Sequence, residues 1–118
     1  MTSRFTELAV DCRDPARLAE FWCGVLGWRV TETEPDLVEI AGDEPGPTIV
    51  FVVVPEPKTV KNRVHIDVSP RDRDQEEEVE RILALGASRV DIGQGDVSWV
   101  VLADPEGNEF CVLRTRRP

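Results

Sequence analysis

Two stretches of the chain follow one plan, and this internal repeat restricts the possible folds more than any other feature of the sequence. Residues 6–30 and residues 64–90 each begin with a strand-like segment, continue into a helical pattern and end it at a Leu-Gly pair. Gly27 and Gly86 lie 59 positions apart, and the aligned pair Glu7 and His65 lie 58 apart. Such self-similarity indicates two copies of one supersecondary unit.

Each half carries one amphipathic helix. The stripe of the first helix, at the spacing i, i+3, i+4, i+7 and i+8, is Leu18, Phe21, Trp22, Val25 and Leu26. Asp14 followed by Pro15 is typical of a helix start, and Gly27 of a helix end. In the second half the repeat aligns Asp72 with Asp14, and an acidic run at 74–78 favours a helix N-terminus. The stripe of the second helix is Val79, Ile82 and Leu83, and Gly86 ends it.

Strand-like sequence follows each helix, so the predicted order is βαβββ, twice. The expected strands are Trp28–Thr31, Leu37–Ile40 and Thr48–Val54, then Ser88–Ile92, Ser98–Leu102 and Glu109–Arg114. The segment Asp104-Pro105-Glu106-Gly107 predicts a turn. The prediction is a single α+β domain over 1–118, with module one at about 1–57 and module two at about 62–118.

Side-chain alternation along the expected first strand of module two, from Arg63 to Val68, separates two faces. Val64, Ile66 and Val68 form an apolar face that should meet the helix, while Arg63, His65 and Asp67 point the other way. Two βαβββ units placed side by side would curl such polar faces into a shared trough. Polar groups facing inward in a trough are suited to binding a ligand.

At this point the sequence resembles a known group of proteins. The run F-x-E-L-A-V-D-x-x-D-P-A-R-L-A-E-F-W-x-x-V-L-G-W at 5–28 resembles the opening of the glyoxalase/bleomycin-resistance/dioxygenase (vicinal oxygen chelate) superfamily. The runs P-E-P-K-T-V-K-N-R-V-H-I-D-V (55–68) and D-P-E-G-N-E-F-C-V-L (104–113) are similar to its glyoxalase-like domain branch, which is common in bacteria. The resemblance covers nearly the whole chain. It implies two βαβββ modules forming a cup-shaped mixed sheet with the helices outside, and a homodimer.

The resemblance also implies where a metal would bind. Metal-dependent members of the superfamily use one residue on the first strand and one on the last strand of each module. Carried over by motif, these four positions are Glu7, Val52, His65 and Cys111. Valine cannot bind a metal, and the other three suit Mg²⁺ or Mn²⁺ poorly because those ions prefer oxygen ligands. We therefore expect no resident cofactor, with a divalent metal (Zn, Ni, Mn or Fe) on Glu7, His65 and Cys111 as the alternative.

Several residues have two interpretations. Glu7 and His65 are candidate catalytic residues, and His65 is either a ligand-facing donor or base or a hydrogen-bonded histidine of the interior. The candidate ligand-binding residues are Arg63, Asp67, Trp28, Trp99 and Val52. For the two tryptophans, core packing is the alternative. Phe21 and Trp22 belong to the helical stripe and are expected in the core.

Composition excludes some partners. The formal net charge is −9, and such a surface repels nucleic-acid phosphates and anionic lipid heads. Three cysteines without C-x-x-C spacing indicate reduced thiols. The N-terminal residues lack the apolar run of a signal peptide, and no stretch is long enough to span a bilayer. We therefore expect a cytoplasmic protein with a small-molecule partner.

Three function classes stay open. The first is a binding protein that holds a small molecule in the trough beside a degenerate metal site. The second is a metal-dependent lyase, isomerase or dioxygenase acting on a substrate with vicinal oxygens. The third is a structural partner that dimerises through a sheet edge or helix, which leaves the inward-facing polar residues unexplained.

Overall fold

The computed structural model describes all residues, Met1–Pro118, and divides into two compact units. Unit 1 is Met1–Pro57 and unit 2 is Lys58–Pro118. Unit 1 contains β1 (Glu7–Cys12), α1 (Pro15–Leu26), β2 (Arg29–Glu34), β3 (Leu37–Ala41) and β4 (Thr48–Val53). Unit 2 contains β5 (Asp67–Val68), α2 (Gln75–Leu85), β6 (Ser88–Arg89), β7 (Val100–Ala103) and β8 (Glu109–Val112). The order is βαβββ in both units, as the repeat predicts.

The two sheets have the same topology. Their strand orders are β1-β4-β3-β2 and β5-β8-β7-β6. In each, the first strand pairs in parallel with the last, and the remaining pairs are antiparallel. The parallel pair is the one whose strands are joined through the helix, since parallel neighbours need a long crossover. The last strand of each unit is therefore central to its sheet.

Unit 1 buries its helix against β3 and β4. The buried side of α1 is formed by Leu18, Ala19, Phe21, Trp22 and Val25. Phe21 and Trp22 meet edge to face with ring centroids 5.4 Å apart, so their expected place in the core is confirmed. The sheet contributes alternate residues, Val38 and Ile40 from β3 and Ile49 and Phe51 from β4.

The helix ends follow from local chemistry. The Asp14 carboxylate accepts from the Arg17 N–H, and Gly27 closes α1 with φ 68°, a left-handed conformation that favours glycine. In unit 2 the cap is Asp74, which forms a capping box with Glu77. The cap lies at the start of the acidic segment 74–78, two residues after Asp72, which the repeat aligns with Asp14.

Strand β5 is much shorter than the sequence predicts. The expected strand over Arg63–Val68 is reduced to Asp67–Val68, and Val64 is 74% exposed rather than packed on the helix. Side chains alternate between the two faces of a sheet only where the strand is paired with a neighbour. The alternation therefore does not assign a face to the residues that precede β5. The predicted turn at Asp104 is confirmed: its carboxylate accepts the N–H groups of Glu106 and Asn108. Neither helix has the length and apolar composition of a membrane-crossing helix.

Candidate functional site

The register of β8 brings three side chains to one face of the unit 2 sheet. Parallel pairing sets Asp67 opposite Cys111, and antiparallel pairing sets Val101 opposite Cys111 on the other side. Directly paired residues place their side chains on the same face. Phe110 and Val112 alternate with Cys111, and both are fully buried. Cys111 therefore lies on the face that carries polar groups.

His65 precedes β5 and joins the same group. Its Nδ1 lies 3.1 Å from Oδ1 of Asp67, and the two side chains are 44% and 46% exposed. His65, Asp67 and Cys111 each offer one ligand atom, and these atoms all lie within 4.8 Å of one another. One nitrogen, one oxygen and one sulfur donor are thus collected within a single unit.

The environment of Cys111 keeps its thiol protonated. Burial raises the pKa of Cys111, the Asp67 carboxylate raises it further by charge and by accepting a hydrogen bond, and Lys61 acts weakly in the opposite direction. The free thiol is therefore a hydrogen-bond donor to Asp67 and a poor nucleophile, because the thiolate is the reactive form.

Glu109 is held on the same face by neighbouring residues. Its Oε2 lies 2.9 Å from Lys58 Nζ, and its Oε1 accepts the Asn62 N–H at 2.9 Å. Burial opposes ionisation, but the hydrogen bonds from Asn62 and Lys58 outweigh it and lower the pKa of Glu109. These bonds tie the segment that leads to His65 onto the start of β8.

A cavity of about 320 Å³ opens over this face and is lined by unit 2 alone. Its lining residues are Lys61, His65, Asp67, Ile92, Gln94, Trp99, Val101, Glu109, Cys111 and Leu113. The volume is at the lower end of the range for small-molecule sites, and the mixture of apolar walls with a few polar groups is typical of them. Trp99 is 41% exposed, so a large part of its indole is open to a ligand.

Gln75, the first residue of α2, holds one wall of this cavity. Its side-chain amide donates to the carbonyl oxygens of Ser98 at 2.8 Å and Val112 at 3.0 Å. Ser98 precedes Trp99, and Val112 follows Cys111 in the chain. One amide therefore ties the loop that carries the indole to the strand that carries the thiol.

The structure brings together four of the residues singled out from the sequence: His65, Asp67, Trp99 and Cys111. The others lie elsewhere in their units. Glu7 is exposed in β1 opposite Thr48, and Val52 is half-buried between Asp11 and Leu37. Arg63 is exposed and does not line the cavity.

Trp28 is half-buried in unit 1, and its indole lies against Gly42, where any Cβ would come within 2.8 Å of Nε1. The roles predicted for these residues stay predictions.

Sequence reasoning missed the rest of the lining. Glu109 and Val101 could have been found by extending the alternation and pairing of β8 from Cys111. Lys61, Ile92 and Gln94 lie outside the strands, where no periodicity assigns a direction to a side chain.

The donor set tests the metal expectation. A cluster of one imidazole, one carboxylate and one thiol fits zinc, which accepts nitrogen, oxygen and sulfur in a four-coordinate site. It fits Mg²⁺ and Ca²⁺ poorly, since they need six or more oxygen ligands or water. The carboxylate of this cluster belongs to Asp67, whereas the superfamily resemblance implies Glu7 as the carboxylate ligand.

Comparison with known proteins identifies the fold and the family. The family model described as a glyoxalase-like domain matches residues 7–113. No curated protein sequence matches the chain.

Solved structures with the same fold include a glyoxalase/bleomycin resistance protein/dioxygenase family enzyme from Burkholderia phytofirmans PsJN. It has a TM-score of 0.73 and 17% identity, over 93% of this chain and 97% of that one. The fosfomycin resistance protein FosX from Mesorhizobium loti gives 0.70 and 16%, over 96% and 92%. FosX from Listeria monocytogenes, solved with Mn(II) and 1S,2S-dihydroxypropylphosphonic acid, gives 0.72 and 16%, over 96% and 90%. At these identities the likeness establishes the α+β fold.

Proposed function

The chain belongs to the glyoxalase-like domain family, and from that premise we propose that it binds a small molecule in the cavity of unit 2. The observation that carries the proposal is the exposed residue Trp99 in the lining of a cavity that His65 and Asp67 also line. A flat, largely apolar molecule would stack on the indole, and its polar oxygen would meet the imidazole or the amide of Gln94.

The charges around the cavity support a ligand that carries both an apolar body and a polar group. The Glu109 carboxylate is already paired with Lys58, so its charge is largely neutralised. Lys61 Nζ donates to the Asn62 carbonyl, a neutral partner, and keeps its positive charge available. An acidic or phenolic oxygen on the ligand is the natural partner for this ammonium group.

A ligand screen by thermal shift tests the proposal. A ligand at 100 times its Kd stabilises the folded state by about 2.7 kcal/mol, which raises Tm measurably. Hits should also change tryptophan fluorescence. Trp99→Ala should weaken a hit at least about fivefold, since an aromatic wall contributes on the order of 1 kcal/mol or more.

The matched control is Val60→Ala, an exposed apolar residue that does not line the cavity. It should leave the affinity unchanged. Binding that survives Trp99→Ala intact would place the ligand elsewhere and contradict the proposal.

A metal-dependent lyase, isomerase or dioxygenase is the second candidate function. The observation that favours it is the group His65, Asp67 and Cys111, whose ligand atoms lie within 4.8 Å of one another. A bound divalent metal would polarise the oxygens of a substrate held beside it. The similar fold of the Listeria FosX was solved with Mn(II), which is consistent with this candidate. Turnover that persists after chelation and in His65→Ala would exclude it.

A further inference from the structure

We infer that unit 2 by itself forms a zinc site in which His65, Asp67 and Cys111 are the three protein ligands. The site is complete within one βαβββ unit and does not use Glu7. It concerns metal binding alone, so it can be tested without a ligand and without turnover.

The geometry of the three donors carries the inference. Asp67 and Cys111 are held opposite each other by the β5–β8 pairing, and His65 lies two residues before Asp67 with its ring 3.1 Å from the carboxylate. In a tetrahedral zinc site the donor atoms are separated by about 3.5 Å, given bond lengths of about 2.0–2.3 Å. The donor atoms lie within 4.8 Å of one another, and the half-exposed side chains of His65 and Asp67 have room to rotate towards the shorter distance.

The electrostatics favour a cation at this point. The Asp67 carboxylate lies between the imidazole and the thiol and forms no ion pair with a lysine or arginine. A carboxylate and a sulfur on the wall of the cavity attract a divalent cation, and Lys61 is the positive charge near the thiol that opposes this attraction. The sheet contributes a rigid base, since Cys111 is 6% exposed and flanked by the buried residues Phe110 and Val112.

The identity of the metal follows from the sulfur. Zinc binding at Cys111 displaces the thiol proton to solvent. The resulting thiolate, with an imidazole and one carboxylate, selects zinc over Mn²⁺ and Mg²⁺, which prefer oxygen donors. Three protein ligands leave one tetrahedral position for water or a ligand atom, the arrangement of zinc sites that bind exogenous molecules. The three ligand residues line the same cavity as Trp99 and Gln94, so the matching ligand class is a molecule with an oxygen or sulfur donor at one end.

The test is metal titration of the chelator-stripped full chain against a chromogenic zinc indicator, followed by substitution with Co²⁺. We expect one zinc per chain, binding at least about tenfold more tightly than Mn²⁺. Co²⁺ should give the near-ultraviolet sulfur-to-cobalt charge-transfer band that reports a thiolate ligand. Absence of zinc binding, or a Co²⁺ complex without that band, overturns the inference.

Variants then assign the ligands. Cys111→Ser should abolish the charge-transfer band, and Asp67→Asn and His65→Ala should each weaken zinc binding at least about tenfold, since even residues that only support a ligand commonly cost that much. Asp72→Asn is the matched control: it removes one negative charge from an aspartate whose side chain is 82% exposed, and zinc affinity should not change.

Glu7→Gln separates this site from the one implied by the superfamily resemblance. If zinc binding is retained in Glu7→Gln and lost in Asp67→Asn, the site within unit 2 is correct. The reverse result overturns it in favour of Glu7, His65 and Cys111. Because the Co²⁺ band is measured on the wild-type chain, the test stands even if one variant does not fold.

Discussion

Unit 1 and unit 2 have the same strand order and the same helix position, but the polar faces of their sheets differ. In unit 1 this face has Glu7, Ala9 and Asp11 on β1 beside Thr48, Val50 and Val52 on β4. The Glu39 carboxylate accepts from Thr31 Oγ1 at 2.6 Å and from Thr48 Oγ1 at 3.4 Å, so one acidic group is used by the sheet itself. In unit 2 the corresponding face has His65, Asp67, Glu109 and Cys111.

The comparison shows that the two units keep apolar residues on the face of the sheet that packs in the core, and that they carry different residues on the opposite face. Phe51 in β4 and Phe110 in β8 are both 1% exposed, and each is central to the core of its unit. Core positions must fill a fixed space, whereas a solvent-facing position tolerates many side chains. One scaffold can therefore carry two different sets of functional groups.

The largest expected effect tests whether the two cores are equivalent. Phe51→Ala and Phe110→Ala should each lower the free energy of unfolding by about 3–5 kcal/mol, because each leaves a cavity where a phenyl ring was fully buried. Urea unfolding followed by circular dichroism measures both. A cost below about 1 kcal/mol for either variant, within the usual range of surface substitutions, would break the equivalence.

The next effect tests the ion pair found in unit 2. Lys58→Met should cost about 2 kcal/mol at pH 7, since it removes a charged hydrogen bond from a carboxylate that is 12% exposed. The pKa of Glu109 is lowered in the folded state, so its stabilisation is present above the unfolded pKa of about 4.3 and is lost as the pH falls through the folded value.

Urea unfolding from pH 7 to pH 3 measures this effect. In Lys58→Met, Glu109 should contribute less to the decrease in the free energy of unfolding at low pH. As a control, Lys61→Met removes a nearby cation that donates only to a backbone carbonyl. If the free energy of unfolding falls with decreasing pH in Lys58→Met as it does in the wild type, the ion pair does not set the pKa of Glu109.

A third prediction compares the residues that follow the two caps, Pro15 in α1 and Gln75 in α2. Proline cannot donate a hydrogen bond, whereas Gln75 donates to Ser98 and Val112. Gln75→Ala should cost about 1–2 kcal/mol and change the fluorescence of Trp99, because the loop next to it loses its attachment. Gln94→Ala, which changes another residue of the cavity lining without removing these bonds, is the control. An unaltered Trp99 environment in Gln75→Ala would contradict the positioning role.

The smallest expected effect concerns the caps. Asp74→Ala and Asp14→Ala should each cost about 1 kcal/mol. Asp74→Ala should cost more, because the Asp74 carboxylate accepts the Glu77 N–H at 2.8 Å whereas the Asp14 carboxylate accepts the Arg17 N–H at 3.2 Å. Thermal unfolding of the two variants measures the difference. Asp72→Ala, two residues before the cap, should change Tm little; a Tm loss equal to that of Asp74→Ala would contradict the assignment of Asp74 as the cap.

The motifs of the sequence carried the resemblance to the family. The sequence by itself also determined the α+β class, the order βαβββ in each half, the core of unit 1 around Phe21 and Trp22, and the helix ends at Gly27 and Gly86. These features depend on local preferences and on apolar spacing, which are present in the order of residues. It also singled out His65, Asp67, Trp99 and Cys111. Each of them was identified from a motif or from its place in one expected strand, which needs no knowledge of the neighbouring strands.

Only the tertiary structure decided which of these residues meet. Asp67 and Cys111 are 44 positions apart, and the register between β5 and β8 alone makes them neighbours. The Gln75 contacts tie the loop of Trp99 to the strand of Cys111, and Lys61 and Gln94 line the same cavity. Pairing between distant strands depends on how all the side chains of a unit pack together, and no short segment of sequence encodes it.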